Sequence, residues 1–159
     1  MIELSLLALL FACNGAPIVA RLLFAGHFAT PIDFGVRAWD AQPLLGRSKT
    51  WRGLLSSMLA GIAGGMLFNL GWDFGMLFGT LVMLGDLLAS FVKRRLRLAP
   101  SDQALGLDQL PEALLPLAYA STVLPLGIAH VVGLSVAFAA LSLAVSGPLY
   151  RWHIRKRPY

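Results

Sequence analysis

The stretch FGMLFGTLVMLGDLLASFV, from Phe74 to Val92, decides the fold class of this chain. It is almost wholly apolar and long enough to cross the hydrocarbon core of a bilayer as a helix. One carboxylate, Asp86, interrupts it, and a carboxylate at that depth costs on the order of 3 kcal/mol to insert. A charge kept in such a place marks a functional site by default, so we expect Asp86 to serve chemistry rather than packing.

Basic residues follow at the end of this run and share a face with the carboxylate. At about 100° per residue, one helical face carries four polar side chains, those of Asp86, Ser90, Lys93 and Arg94. A carboxylate close to a cluster of cations suits a site that holds a divalent metal and a polyphosphate at a membrane surface.

Composition also indicates an integral membrane protein. Of the 159 residues, 57% are hydrophobic and 13% are charged, whereas soluble domains are about half apolar and about a quarter charged. The length suits a single domain over residues 1–159. The lone cysteine, Cys13, excludes an internal disulfide and gives no thiol metal site.

Hydropathy predicts an all-α protein with five transmembrane helices, because helices are the only reasonable way for runs of this length to cross a bilayer. We expect Asn14-Gly15 and Pro17 to interrupt the first span, and the short links after the second and fourth spans to form antiparallel hairpins. The predicted spans are Leu4–Phe28, Leu54–Leu70, Phe74–Val92, Ala113–Ala129 and Val131–Tyr150.

The spacings Gly61-x-x-x-Gly65 and Gly75-x-x-x-Gly79 predict close helix packing. Such packing can occur within one subunit or between two, so a homodimer is one of the two arrangements that these glycines permit.

With five spans, all 13 basic residues fall at one face of the membrane. The positive-inside rule then places the N-terminus outside and the C-terminus in the cytoplasm. The net charge of +5 could suggest a nucleic-acid-binding protein, but this placement of the basic residues argues against that. The basic residues are Arg21, then Arg37, Arg47, Lys49 and Arg52 in the first long link, Lys93, Arg94, Arg95 and Arg97 in the second, and Arg151, Arg155, Lys156 and Arg157 in the tail.

Acidic residues are interleaved with these cations on the predicted cytoplasmic face. Attraction to lipid headgroups requires Lys and Arg but no acids, so we interpret only the basic tail as a membrane anchor. A mixture of both signs favours a site for a metal and a polyphosphate. The acids are Asp33, Asp40, Asp102, Asp108 and Glu112.

Three strings carry a resemblance to a known family. They are KTWRG at Lys49–Gly53, GDLLASFVKRR at Gly85–Arg95 and LDQL at Leu107–Leu110. In this order they closely resemble the CDP-archaeol synthase family, an integral-membrane cytidylyltransferase, and the resemblance runs from Asn14 to Leu110. The family is similar to the bacterial CDP-diacylglycerol synthases.

The resemblance implies a five-helix membrane enzyme with CTP as nucleotide donor. It implies a Mg2+-dependent reaction with a membrane lipid phosphate that yields a CDP-lipid and pyrophosphate. The positive-inside orientation places this site at the cell membrane, facing the cytoplasm. Comparison with the bacterial signature maps five residues of this chain onto the active-site motif, namely Asp86, Ser90, Lys93, Arg94 and Asp108.

These residues receive specific expected roles. We expect Asp86, Asp108, Lys93 and Arg94 to be catalytic, and Asp86, Asp108 and Glu112 to bind Mg2+, which prefers carboxylate and phosphate oxygens. The expected ligands of CTP or the lipid phosphate are Lys49, Arg52, Ser90 and Arg95, with Asp33 as a further candidate.

The chain departs from the related patterns at two positions. The second acid of the bacterial third string falls at Pro111, and the neighbouring Glu112 is the candidate replacement. Asp40-Ala41 stands where Asp-Gly is expected, which predicts an altered turn in the first loop.

Each assignment has a structural alternative. Asp86 could pair with Arg94 or with a cation on another helix, Asp108 could cap the fourth helix, and Ser90 could join helices by hydrogen bonding. Lys49 and Arg52 could serve only to orient the chain in the membrane.

Other functions compete with lipid cytidylylation. A small transporter or channel would also retain an intramembrane Asp, although the polar residues cluster at one face and no inverted repeat is evident. A non-catalytic scaffold would have little reason to bury Asp86. Leu, Ala and Gly in the spans leave the lipid open between ether-linked and ester-linked chains.

Overall fold

The described part of the chain contains five α-helices, as hydropathy predicts. The computed structural model describes residues 1–98 and 106–151, with side chains up to residue 145, so the predicted tail anchor and Asp102 lie outside it. The tail residues concerned are Arg151, of which only the backbone is described, Arg155, Lys156 and Arg157. The helices are α1 (Ile2–Phe24), α2 (Trp51–Leu67), α3 (Trp72–Arg95), α4 (Gln109–Val123) and α5 (Ile128–Arg151).

Three of these helices are long and apolar enough to cross a membrane. They are α1, α3 and the part of α5 over Ile128–Val145. The other two helices are shorter, since α2 has 17 residues and α4 has 15. The all-helical prediction is confirmed, while the crossing of α2 and α4 remains a prediction.

The predicted fourth span, Ala113–Ala129, was wrong at both ends. The helix stops at Val123, and Leu124 is extended with φ −120° and ψ 153°, because a following proline disfavours helical backbone. At the other end α4 begins four residues earlier than predicted. Pro111 is accommodated in its first turn, where a backbone N–H would have no acceptor within the helix.

The expected interruption of the first span was also wrong. α1 continues through Asn14, Gly15 and Pro17, and the Asn14 side-chain amide donates to the carbonyl of Leu10 at 3.1 Å. The helix ends at Phe24, earlier than predicted, where Ala25 turns the chain with φ 46°.

α2 and α3 pack backbone against backbone at glycines, with no side chains between them. A β-carbon on Gly61 would overlap the carbonyl oxygen of Gly75, and one on Gly75 would overlap that of Gly61. One turn away, the Ser57 hydroxyl donates to the carbonyl of Gly79 at 3.0 Å. Because residue numbers rise along one helix as they fall along the other, α2 and α3 form the predicted antiparallel hairpin. Both glycine spacings are therefore used within the chain.

An apolar core fills the half of the bundle that lies opposite the basic loops. It brings together side chains of α1, α3, α4 and α5. Its fully buried members include Leu6, Leu9, Leu10, Phe78, Val82, Leu117 and Phe138.

Asp33 organises the first loop, between α1 and α2. Its carboxylate accepts backbone N–H groups from Gly35 at 3.0 Å, Leu45 at 2.9 Å and Gly46 at 3.0 Å. Burial acts to raise the pKa of Asp33, but these hydrogen bonds outweigh it, and the pKa lies below its ordinary value. The carboxylate therefore stabilises the loop at neutral pH, and this contribution is lost as pH falls through the lowered pKa.

The turn at Asp40-Ala41 carries a conformational cost. Ala41 adopts φ 61°, a left-handed conformation that costs a residue with a β-carbon about 1 kcal/mol or more. We predict that Ala41→Gly slows hydrogen exchange of the neighbouring Gln42 amide about fivefold. Ala38→Gly is the control, since Ala38 lacks a positive φ, and it should speed exchange. Equal effects of the two substitutions would contradict this account.

Candidate active site

A charged cavity of about 480 Å³ opens among the helices beneath the first loop. Side chains from α1, the loop, α2, α3, α4 and α5 line it. Charge in a membrane-embedded cavity is costly unless it is paired or serves function. Its charged lining residues are Arg21, Arg47, Lys49, Arg52, Asp86 and Glu112.

An ion pair between Lys49 and Asp86 forms the centre of this cavity. The Lys49 ammonium donates to both carboxylate oxygens, at 2.6 and 2.5 Å, and the two side chains are 18% and 21% exposed. Asp86 lies nine residues before the end of α3, which is about 14 Å along the helix axis. Lys49 therefore reaches down from the loop to an acid well inside the bundle.

Glu112 is the second acid of this centre. It lines the cavity from α4, lies against Asp86 and interacts electrostatically with Lys49 and Asp108. The glycine before Asp86 explains the approach of the two helices, because a β-carbon on Gly85 would overlap the backbone of Pro111. The Gly-Asp pair thus brings two carboxylates together from different helices.

A second ion pair joins the end of α3 to the start of α4. Lys93 and Asp108 are 2.5 Å apart, with exposed fractions of 12% and 23%. Asp108 occupies the N-cap position of α4, but its side chain makes no capping hydrogen bond. The capping alternative therefore does not account for Asp108, which also interacts electrostatically with Glu112.

Ser90 and Arg94 are buried in the bundle, with 4% and 7% of their surfaces exposed. Arg94 donates from Nη1 to the carbonyl of Leu98 at 2.7 Å. The cation that pairs with Asp86 is Lys49, so the alternative that placed Arg94 there was wrong. Neither Ser90 nor Arg94 lines the charged cavity, and their proposed roles in catalysis and binding stay predictions.

Arg95 fastens the first loop onto α3. It donates to Asp40 at 2.7 Å and to the carbonyl of Pro43 at 2.7 Å. Its guanidinium also lies over the rings of Trp39 and Phe91, 5.4 and 5.1 Å from their centroids. These contacts, like those of Asp33, hold the loop above the cavity. The binding of substrate by Arg95 and Asp33 remains a prediction.

The N-terminus of α2 adds a partial positive charge to the cavity rim. Thr50 caps the helix by accepting the N–H of Gly53 at 3.2 Å, and both residues line the cavity. A helix N-terminus favours anions. With Lys49 and Arg52 on either side of the cap, this rim is suited to phosphate groups.

Sequence reasoning missed six polar residues of the cavity, namely Asn14, Arg21, Arg47, Ser48, Thr50 and Ser142. Arg21 was counted only for topology, and Asn14 was interpreted as a break in a helix. The signal was available, because a charged side chain inside an apolar run carries the same cost as Asp86.

The acids fit Mg2+ in type and number. Over residues 1–98 and 106–145, no three His, Cys, Asp or Glu side chains form a ready cluster for a metal. Mg2+ commonly takes only one or two protein carboxylates and completes its shell with phosphates and water. Asp86 and Glu112 would offer carboxylate oxygens to such an ion, and Asp108 interacts electrostatically with Glu112.

Membrane-length helices around a charged cavity define a multi-pass membrane protein with an intramembrane site. A model of the family described as CarS-like, CDP-archaeol synthase, matches residues 1–76 and 68–159. The chain belongs to this family, as the three sequence strings predicted.

Individual relatives agree with this membership. A CDP-archaeol synthase of Pyrobaculum arsenaticum is 30% identical over 94% of this chain and 92% of its own length. One of Sulfurisphaera tokodaii is 34% identical over 82% of each chain. For the relatives from Thermofilum pendens and Pyrococcus furiosus, the matched region spans about half of their length, 52% and 54%.

A solved structure is similar in fold. It is described as an intramembrane enzyme for archaeal membrane lipid biosynthesis, and it is 30% identical with a TM-score of 0.66. The similarity covers 86% of this chain and 90% of the other.

Proposed function

We propose that this protein transfers CMP from CTP to a membrane lipid phosphate, which gives a CDP-lipid and pyrophosphate. The observation that supports this most is the position of Lys49, Asp86 and Glu112 in one cavity under a cationic rim. Such a cavity has acids for a divalent metal and cations for phosphates. Membership of the CDP-archaeol synthase family supports the same reaction.

The reaction requires two anions to meet. An oxygen of the lipid phosphate forms a bond to the α-phosphorus of CTP as the bond from that phosphorus to the bridging oxygen breaks, and pyrophosphate leaves with the electron pair. A phosphate dianion is already a nucleophile, so no general base is needed. The protein must position the phosphates and stabilise the charge on the leaving group.

Asp86 and Asp108 would hold Mg2+, with Glu112 as the third carboxylate. When bound, the ion supplies Lewis-acid stabilisation of phosphate charge. In the structure Lys49 compensates the charge of Asp86, and Lys93 compensates that of Asp108. Each of these two aspartates is thus paired with a lysine. When a metal ion takes the place of that lysine, the ammonium group would become available to bind phosphate.

Cations around the rim would hold the phosphates. Arg suits bidentate contact with a phosphate, and Lys acts as a point charge. Lys49 and Arg52 occupy the rim together with Arg47, while Arg21 lies in the same cavity.

A transporter is less consistent with the cavity. The charged lining is at one end of the bundle, and the apolar core with Leu6, Leu10 and Phe78 fills the other. A conduction path would require polar lining through the whole depth.

The test of this proposal is direct. Purified protein is incubated in lipid nanodiscs with CTP labelled in the cytidine, Mg2+ and a panel of ether-linked and ester-linked lipid phosphates. We expect label in the lipid fraction and stoichiometric pyrophosphate, both dependent on the lipid phosphate. CTP hydrolysis without labelled lipid, or no CTP consumption at all, would contradict the proposal.

We further propose that the cavity faces the cytoplasm and that all five helices cross the membrane. Cysteines at Arg47 and Arg97 should then resist an impermeant thiol reagent in intact cells, whereas a cysteine at Asp73 should react. Cys13 is replaced in this background, and permeabilised cells provide the positive control for the loop positions. Labelling at Arg47 with protection at Asp73 would reverse the orientation.

A further inference from the structure

A second cavity, of about 450 Å³, lies between α1 and α2. Unlike the charged cavity, it has a mostly apolar lining. Its apolar side chains are Ala20, Phe24, Phe28, Trp51, Leu55 and Leu59. We call it the α1–α2 groove.

One face of α2 forms a wall of this groove. Arg52, Leu55 and Leu59 follow each other at helical spacing on that face, so the wall runs about 10 Å along the helix axis from the loop. The face of α2 with Ser57 and Gly61 is packed against α3 instead. Leu55 and Leu59 are 54% and 65% exposed, so in the proposed five-span arrangement this wall faces the bilayer.

Arg52 lines the α1–α2 groove and the charged cavity alike. It donates from Nη1 to the carbonyls of Ala25 and His27, at 3.0 and 2.6 Å. These bonds fix the guanidinium between the two spaces. A guanidinium so placed, beside the positive N-terminus of α2, complements a phosphate group.

We propose that the α1–α2 groove holds one hydrocarbon chain of the lipid phosphate while Arg52 binds its phosphate. This inference rests on the proposed function and adds to it the position of the lipid. The chain lies along Leu55 and Leu59, and the phosphate at Arg52 faces the cavity that contains Asp86. The observation that selects this occupant is the continuity of an apolar groove with a charged cavity through one cation.

The groove acts by orientation rather than by hydrophobic transfer. A lipid chain in a bilayer is already in apolar surroundings, so packing and shape supply the selectivity. We therefore expect filling the groove to weaken use of the lipid without affecting CTP.

Fluorescence quenching tests occupancy without catalysis. In the full-length protein, Trp39, Trp72 and Trp152 are replaced by Phe, which leaves Trp51 in the groove as the reporter. Nanodiscs contain a lipid phosphate brominated along one chain, with an ether or an ester linkage, or brominated phosphatidylcholine. We expect at least one lipid phosphate to quench Trp51 at a third or less of the mole fraction that phosphatidylcholine requires. Equal quenching by all these lipids would overturn the proposal.

Two variants test the groove itself. Ala20→Phe and Ser56→Phe each place a ring in it, and both should abolish the difference in quenching and raise the KM for lipid phosphate about tenfold at unchanged KM for CTP. Ala140→Phe is the matched control on the exposed surface of α5, and it should behave as wild type. A difference in quenching that survives in both groove variants would overturn the proposal.

The quenching result separates this inference from the proposed function. If the wild-type protein makes no CDP-lipid but quenching by lipid phosphate remains selective, the function is wrong and the groove stands. If transfer occurs but quenching is unselective, the groove is wrong and the function stands.

Discussion

Asp86→Asn is expected to lower cytidylyl transfer at least about a hundredfold, the order of loss seen when a main electrostatic stabiliser is removed. The substitution keeps the size of the side chain but removes the charge that would hold the metal. Transfer is measured at saturating CTP in nanodiscs, and folding is checked by thermal unfolding. A well-folded variant with near-normal transfer would refute the metal-site assignment.

The structure supplies a matched control for this substitution. Asp40 is also paired with a cation, Arg95, and is similarly exposed, 25% against 21% for Asp86, but it neither lines the charged cavity nor acts electrostatically on Glu112, as Asp108 does. Asp40→Asn should therefore reduce transfer far less. If Asp86 only neutralises Lys49, then Asp86→Asn should lower thermal stability and its combination with Lys49→Met should restore that stability, whereas we expect the single variant to keep its stability and lose transfer.

Asp108→Asn tests whether the two ion pairs serve one site. We expect a loss similar to that of Asp86→Asn, and the double variant should be little worse than either single variant, because residues of one metal site act as a unit. Losses that multiply in the double variant would indicate independent roles.

Gly75→Ala is expected to destabilise the protein by roughly 3 kcal/mol, the upper end of the usual range for overpacking. The added methyl group would overlap the carbonyl of Gly61, which is backbone and cannot rotate away. α2 and α3 must then separate, and Lys49, just before α2, moves away from Asp86 on α3. Unfolding in a denaturant series measures the stability, and transfer activity reports the separation.

Gly133→Ala is the control for this prediction. Gly133 lies within α5, and a β-carbon there has no heavy atom within 4 Å. It should leave stability unchanged or slightly raised, because Ala favours helix over Gly. If the two variants have the same free energy of unfolding, the close contact between Gly61 and Gly75 does not contribute the predicted stability.

The sequence was informative where one residue carries a large local cost. An acid in an apolar run marked Asp86 as a candidate site residue, and runs of helical length predicted five helices. The short link after the second span predicted the α2–α3 hairpin, and the glycine spacings predicted close helix packing. Helix ends were less predictable, since hydropathy continues past Val123 although Pro125 stops the helix. Pro17, in the middle of α1, was overestimated as a break.

The partners of the site could not be predicted from local pattern. Lys49 lies 37 positions from Asp86 along the chain, and no periodicity links a loop residue to an acid on another helix. Glu112 was noticed only as a candidate replacement for the acid that is missing at Pro111. Its contact with Asp86 depends on how closely Gly85 allows α4 to approach. The loop that brings Lys49 down is positioned by Asp33 and Arg95, through contacts distant in sequence.

The shortness of α2 and α4 has a consequence for the surrounding bilayer. Their 17 and 15 residues correspond to about 26 and 22 Å, against a hydrocarbon thickness of about 30 Å. In the proposed five-span arrangement this hydrophobic mismatch thins the lipid leaflets beside the two helices. Lipid headgroups there lie closer to the level of Asp86, which brings the lipid phosphate nearer to the acids. The rate of cytidylyl transfer should therefore fall as the hydrocarbon chains of the host lipids become longer.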